Sequence, residues 1–295
     1  MAYTDRLPEE KLTIVVVGAT SGAGEALSAK LARAGHDVRG VARSLGVSLL
    51  DQKALNQAFA GADGAYVMIP FDLQAPDLHA YEREVGQRLA AAISASGARR
   101  VVLLSGLNAH LKMGTSWGAA AMEERLETLG LRELIFLRAG FFYENFIKGL
   151  AFVDQAKSGV FATPFRGDRP MPLISARDIG ERAADLLTAA ELPKSHVVEL
   201  HGGSYLTLAE ATEILGHSLG RDVVYQTLSE SDARPAMIAG GLSESFVEAV
   251  IETAASFNRG DRWALESSDP RNSTPTTLET WAETVLGGQL QTTSA

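Results

Sequence analysis

Residues 12–17, Leu-Thr-Ile-Val-Val-Val, form an aliphatic and β-branched run, the pattern of a central parallel strand covered on both faces. After a glycine-bearing turn, Ala26, Leu27, Leu31 and Ala32 fall at helical spacing. The alternation then repeats. Residues 36–41 and the short run 46–50 read as second and third strands, and Asp51 caps a helix to Phe59. Residues 65–69 are a fourth apolar strand, closed by Pro70 and Phe71. Residues 76–96 form a long helix with Leu78, Tyr81, Val85, Leu89 and Ile93 on one side, and residues 100–104 a fifth strand. Residues 117–129 are helical with Gly130 as the stop, and residues 133–138 are a sixth strand. This alternation predicts right-handed crossovers and a parallel sheet, that is, a Rossmann-type doubly wound α/β fold. By analogy with that fold the strand order is 3-2-1-4-5-6.

Beyond residue 150 the pattern loosens. Residues 161–172 hold three prolines and read as a loop or short strand bordering a pocket. Helices are expected at 175–189, 207–219, 229–239, 243–255 and 276–285, and strands at 196–200 and 223–226. Asp178, near the start of the first of these helices, suits the helix dipole. Residues 258–275 are polar and weakly patterned, and 287–295 read as a frayed tail. The expected organisation is a dinucleotide-binding domain over residues 1–150 and a smaller α+β substrate-facing lobe over 151–295. Residues 175–200 are expected to return to the first domain's sheet.

The turn after the first strand carries the clearest chemistry. Gly18, Gly22 and Gly24 stand between strand and helix, where glycines permit a tight turn and the new helix points its free N–H groups at an anion. A dinucleotide pyrophosphate is the expected ligand, held by Gly18, Thr20, Ser21, Gly22, Ala23 and Gly24. A bulky residue at Gly22 or Gly24 is expected to block the cofactor and leave the fold intact. NAD-preferring folds place an acidic residue at the end of the second strand, about 20 residues past the first glycine. This chain has Arg43 there, so NADP(H) is favoured over NAD(H), the guanidinium gripping the 2′-phosphate. Ile69, Pro70 and Ser105, at the ends of the fourth and fifth strands, are expected beside the nicotinamide half of the cofactor.

Composition narrows the classes. The chain has 295 residues, 46% of them hydrophobic and 21% charged, as in an ordinary globular protein. A net charge of −9 argues against nucleic acid and anionic membrane as partners. No apolar run suits a bilayer span, and residues 1–11 lack a signal-peptide core. The absence of cysteine excludes disulfides and thiol chemistry, and a cytoplasmic location is expected. The six histidines show no metal-ligand spacing, so no metal is expected, and there is no G-x-S-x-G elbow or Walker lysine. Monomer and homodimer are equally open.

Several stretches together resemble the NmrA-like family, an atypical branch of the short-chain dehydrogenase/reductase superfamily. They are Gly18-Ala-Thr-Ser-Gly-Ala-Gly24, Val101-Val-Leu-Leu-Ser-Gly106, Leu137-Arg-Ala-Gly-Phe-Phe-Tyr-Glu-Asn145 and Ser175-Ala-Arg-Asp-Ile-Gly180. Glu199-Leu-His-Gly-Gly203, Leu206-Thr-Leu-Ala-Glu210 and Leu219-Gly-Arg-Asp-Val-Val224 follow in family order. The branch often has glycine where this chain has Ser21. The resemblance implies a Rossmann domain with a substrate-facing lobe, and covers both quinone and azo-dye reductases and redox-sensing regulators.

Short-chain reductases usually donate a proton from a tyrosine helped by a lysine four residues later on one helical face. The equivalent helix here reads Thr115-Ser-Trp-Gly-Ala-Ala-Ala-Met-Glu-Glu124 and has neither. Ser105, His110 and Lys112 are the remaining candidates for proton transfer. Two functions follow. One is an NADPH-dependent reductase of a small, quinone-like, electron-poor acceptor, with Phe71, Phe141, Phe142 and Asn145 at the substrate. The other is an NADP(H)-binding redox sensor without turnover.

Overall fold

The computed structural model describes residues 11–286, so the tail expected at 287–295 lies outside the described residues. Strand β1 (Thr13–Val17) leads through the glycine turn into α1 (Gly22–Arg33), followed by β2 (Asp37–Val41), α2 (Gln52–Phe59) and β3 (Gly64–Val67). Then come α3 (Leu78–Ser96), β4 (Arg100–Gly106), α4 (Trp117–Glu127) and β5 (Glu133–Ala139). The rest of the chain holds β6 (Phe141–Phe142), α5 (Glu144–Lys148), α6 (Phe152–Gln155), β7 (Val160–Thr163), β8 (Met171–Ile174), α7 (Ala176–Thr188) and β9 (Val197–Leu200). It closes with β10 (Ser204–Leu206), α8 (Leu208–Ser218), β11 (Val224–Thr227), α9 (Glu230–Ala239), α10 (Glu244–Arg259) and α11 (Leu278–Val285).

The central sheet has six parallel strands in the order β2-β1-β3-β4-β5-β9, the fold class the alternation predicts. Aliphatic side chains fill both of its faces. Ile14, Val16, Val102 and Leu137 pack against α1 and α7, while Val15, Val17, Val101 and Phe136 pack against α2, α3 and α4. Two-sided burial is why these strands read as continuous apolar runs rather than alternating ones.

One element departs from expectation. Residues 46–50 do not form a strand, and β2 is the sheet edge. Arg43–Leu45 form a 3-10 turn that ends at Gly46 with φ +80°, and Val47 N–H bonds back to Ala42 O. The chain is thus folded onto itself where a strand would need it extended. Leu45 and Leu50 stay exposed, while Val47 and Leu49 pack in part against the core without pairing to β2.

Helix α7 packs on the central sheet and strand β9 joins it beside β5, so the chain leaves that layer after β5 and returns to it. Around them, β10-β8-β6 and β11-β7 form two small sheets packed with α8, α10 and α11 over an aromatic core of Tyr143, Phe146, Phe152, Phe161, Phe257 and Trp281. Residues 161–172 therefore span the end of β7 and the start of β8. Asp178 does more than face the helix dipole: it is buried and accepts from both the backbone N–H (3.2 Å) and the hydroxyl (2.7 Å) of Thr276. Among the described residues, no helix is long and apolar enough to cross a membrane.

Candidate functional site

At the end of β1 the backbone turns through Gly18, at φ +75°, and Gly18 N–H donates to Val41 O at 2.8 Å. Ser21 caps α1, its hydroxyl accepting from Gly24 N–H at 3.1 Å. The N–H groups of Gly22 and Ala23 fall in the first turn, where a helix has no acceptor of its own for them. These are the donors a phosphate would take, with the positive end of α1 behind them.

Gly24 serves another end. A Cβ there would strike the carbonyl oxygen of Gly18 and lie 2.8 Å from Ala19 Cα. Its missing side chain lets α1 close against the turn itself, which corrects the expectation that a bulky residue at 24 would leave the fold intact. At Gly22 a Cβ meets Ala176 Cβ at 3.2 Å, a mild contact. Arg43 is exposed and has no ion-pair partner among the described residues. Its neighbour Ser44 donates to Thr20 Oγ1 at 3.2 Å, tying the turn after β2 to the glycine turn. Together these residues fit a dinucleotide, and Arg43 is available to a 2′-phosphate.

At the carboxyl ends of β3, β4 and β5 a cavity of about 440 Å³ opens between the sheet and the outer lobe. Met68 touches both regions, because it lines the cavity and its sulfur would lie 2.6 Å from a Cβ on Gly18. Ile69, Phe71, Ser105, Phe141, Phe142 and Asn145 all line this cavity, so the structure gathers residues spread over 77 positions (69 to 145 inclusive) into one space. Pro70 stands beside it in sequence, in the turn that follows β3. Phe71 is 44% exposed and meets Phe246 of α10 edge to face at 5.5 Å.

Ser105 is buried and committed. Its hydroxyl donates to Glu123 Oε1 at 2.6 Å, and the same carboxylate takes Arg138 Nε at 2.9 Å and Nη2 at 2.5 Å. Glu123 then holds the guanidinium of Arg138 further above its usual range, although burial acts in the opposite direction. His110 and Lys112 are elsewhere. The two ring nitrogens of His110 lie 3.1 Å from Leu107 O and 2.9 Å from Arg262 O, which makes it a latch between two loops. Lys112 is exposed, left-handed at φ 53°, and paired with Glu124, which raises its pKa. Neither lines the cavity. Tyr143, the tyrosine nearest in sequence to the aromatic turn, is buried, and its phenol is pushed up to about 12 by burial. Its hydroxyl donates to Thr276 O and shares a hydrogen bond with the Ser204 hydroxyl, both at 3.0 Å, so it is part of the scaffold.

Sequence reasoning missed the far wall. Phe246, Val250 and Thr253 of α10, together with Trp263, face the cavity, as do Asn108 and the buried Glu82 of α3. Helical spacing of Phe246, Val250 and Thr253 marks one face of α10, but nothing in the pattern says that this face reaches the sheet end. Trp263 lies in a stretch without periodicity. Among the described residues, no three His, Asp or Glu side chains come together in a way that could hold a metal ion.

Comparison with known proteins agrees with this architecture. A model of the NmrA-like family matches residues 10–282. The uncharacterized oxidoreductase YesF of Bacillus subtilis (strain 168) is 27% identical over 260 residues, covering 84% of this chain and 85% of that protein. The NAD(P)H azoreductase of Xenophilus azovorans is 26% identical over 221 residues, 74% of this chain and 73% of that one. The solved NADPH-dependent quinone oxidoreductase of Escherichia coli, complexed with NADPH, shares the fold with a TM-score of 0.70 at 20% identity, over 92% of this chain and 99% of that one. With the family match running through both the central sheet and the outer lobe, the chain belongs to the NmrA-like family.

Proposed function

We propose that the protein is an NADPH-dependent oxidoreductase that reduces a small, flat, electron-poor acceptor of the quinone type. The observation that carries this reading is the cavity beside the glycine turn, walled by Phe71, Phe141, Phe142, Phe246 and Trp263. Aromatic walls favour a planar conjugated ligand through offset and edge-to-face contact. Two of the similar proteins are named for flat conjugated acceptors, an azoreductase and a quinone oxidoreductase.

When bound, the cofactor supplies a hydride; the chain supplies position and exclusion of water. The first-turn amides of Gly22 and Ala23 hold the pyrophosphate and Arg43 engages the 2′-phosphate. Ile69 and Pro70 back the nicotinamide, while Phe141 and Phe142 hold the acceptor and Asn145 anchors one of its oxygens. No tyrosine–lysine pair is placed to take a proton from a secondary alcohol, and a positioned acid or base is typically worth ~10²–10⁴-fold. Alcohol and sugar-nucleotide chemistry should therefore be slow.

The test is NADPH consumption with a panel of quinones and with simple ketones. Quinone turnover is expected, with ketones much slower because their alkoxide product is a far stronger base than a reduced quinone, and with KM for quinone raised in Phe142→Ala and Asn145→Ala. Tight NADPH binding without turnover of either class would reverse the reading and make the protein a redox sensor. Brisk ketone reduction would show that another residue replaces the tyrosine.

A further inference from the structure

Glu82 stands near the N-terminal end of α3 and is 2% exposed. It lines the cavity together with Ile69, Ser105 and Ser116. Its Oε2 lies 2.8 Å from His79 Nδ1. Its Oε1 is buried without any hydrogen-bond partner among the described residues. Leaving a carboxyl oxygen buried and unpaired is costly, so a group in that state beside a cavity is a candidate for chemistry.

Space for this carboxyl comes from α4. A Cβ at Gly118 would strike Glu82 Cδ and lie 2.5 Å from Oε1. Gly118 belongs to the helix on which short-chain reductases carry their tyrosine. Here that helix offers no side chain at this point, and the carboxyl of Glu82 occupies the room instead. His79 is half-buried and fixed by Trp117, whose ring centroid is 4.5 Å from its own. It therefore touches both Glu82 and the solvent side of the helix pair.

We propose that Glu82, buried at the cavity wall, is the proton donor of this site, giving its carboxyl proton to the acceptor, and that His79 is the positioning residue that refills it from solvent. The proposal rests on the reductase reading above. In the step, the hydride from the reduced nicotinamide carries one hydrogen and two electrons to the quinone. The proton from Glu82 completes the hydroquinone, the nicotinamide is left oxidised, and the carboxylate recovers a proton through His79 from water.

The surroundings support a protonated carboxyl. Burial raises the Glu82 pKa, and the hydrogen bond and charge of His79 and the charge of Arg83 only partly oppose it. The first turn of α4 opposite, Trp117 to Ala120, brings no charged side chain. Elsewhere on the cavity Lys148 stands exposed at the wall. Further along α4, Glu123 is already neutralised by Arg138.

The experiment uses Glu82→Gln, which keeps shape and removes the proton, in the full chain with NADPH and a quinone. A fall in kcat on the order of 10²-fold is expected, the lower end for a positioned acid because reduced quinone oxygens are weak bases. The wild-type kcat should fall as pH rises through the raised Glu82 pKa, and Glu82→Gln should be low and flat. His79→Asn removes a group that lowers this pKa, so the wild-type descending limb should move to higher pH. Infrared difference spectra between wild type and Glu82→Gln should show a protonated-carboxyl band that titrates with the same pKa, read without turnover. The difference is needed because Glu144 is another carboxyl raised by burial. A wild-type kcat and pH profile in Glu82→Gln would overturn the proposal and leave the reductase reading standing. Absence of turnover in wild type would overturn both. If Glu82→Gln fails to fold, an unmoved pH profile in His79→Asn overturns the proposal on its own.

Discussion

Ser105 Oγ donates to Glu123 Oε1 across 2.6 Å, and this bond ends the strand β4 on the helix that follows it. Because Glu123 also takes two donors from Arg138 of β5, one carboxylate joins two strands and a helix beneath the cavity floor. Removing it strands a buried guanidinium. Glu123→Ala is expected to lower unfolding free energy by about 3–5 kcal/mol, the usual penalty for breaking a buried ion pair from one side. Ser105→Ala should cost about 1–2 kcal/mol, because Arg138 remains to neutralise the carboxylate. Urea denaturation of the two variants checks the order; equal losses would mean that Ser105 carries more than one hydrogen bond.

The glycine turn separates two kinds of glycine. Gly24→Val should lower both NADPH affinity and thermal stability, because a side chain there meets the backbone of Gly18 and Ala19. At Gly22 the nearest obstacle is a methyl group, so Gly22→Ala should leave the melting temperature within a few degrees of wild type. Paired thermal melts and NADPH titrations decide this. A Gly24→Val protein as stable as wild type would show that α1 can retreat without cost.

Arg43 is exposed just after β2, with no ion-pair partner among the described residues, so NADP(H) should bind more tightly than NAD(H). Arg43→Ala should remove most of the difference, on the order of 1.5–3 kcal/mol for a charge-assisted phosphate contact. Calorimetry with both cofactors measures it directly. Equal affinities in the wild type would count against the role given to Arg43.

Glu199 gives a pH dependence of defined sign. Burial by itself raises its pKa, but the hydrogen bond from His201 and the backbone N–H groups of Leu265 (2.8 Å) and Glu266 (2.9 Å) outweigh it and hold the carboxyl below its usual value. A carboxyl depressed on folding stabilises the protein above its unfolded pKa, roughly 4.3, and that contribution is lost as pH falls through the lower folded value. The gap in denaturation midpoint between wild type and Glu199→Gln should therefore be wide near neutrality and close in acid. A gap that widened in acid would mean that the amides of residues 265 and 266 do not depend on the charge.

Much of this protein was determined by local sequence alone. The buried strand β1, the glycines after it and the helix that follows are specified by short-range pattern, because a two-sided parallel strand needs a continuous apolar run and a phosphate turn needs residues without side chains. The aromatic turn at Phe141 and Phe142 was legible for the same reason, as it directly continues a strand. Tertiary structure decided the rest. The apolar run at 46–50 had strand composition, but the left-handed turn at Gly46 folds it back on Ala42, so Val47 and Leu49 reach the core without pairing as a strand. Ser105 looked available until its partner, 18 residues later, took its hydroxyl. The walls built by Phe246 and Trp263 lie more than a hundred residues from the strand ends they cover, and no local period encodes that meeting. Glu82 carries the same lesson. In the sequence it is one more acidic residue on an amphipathic helix, and only the space left by Gly118, on another helix, makes it a buried carboxyl at a cavity wall.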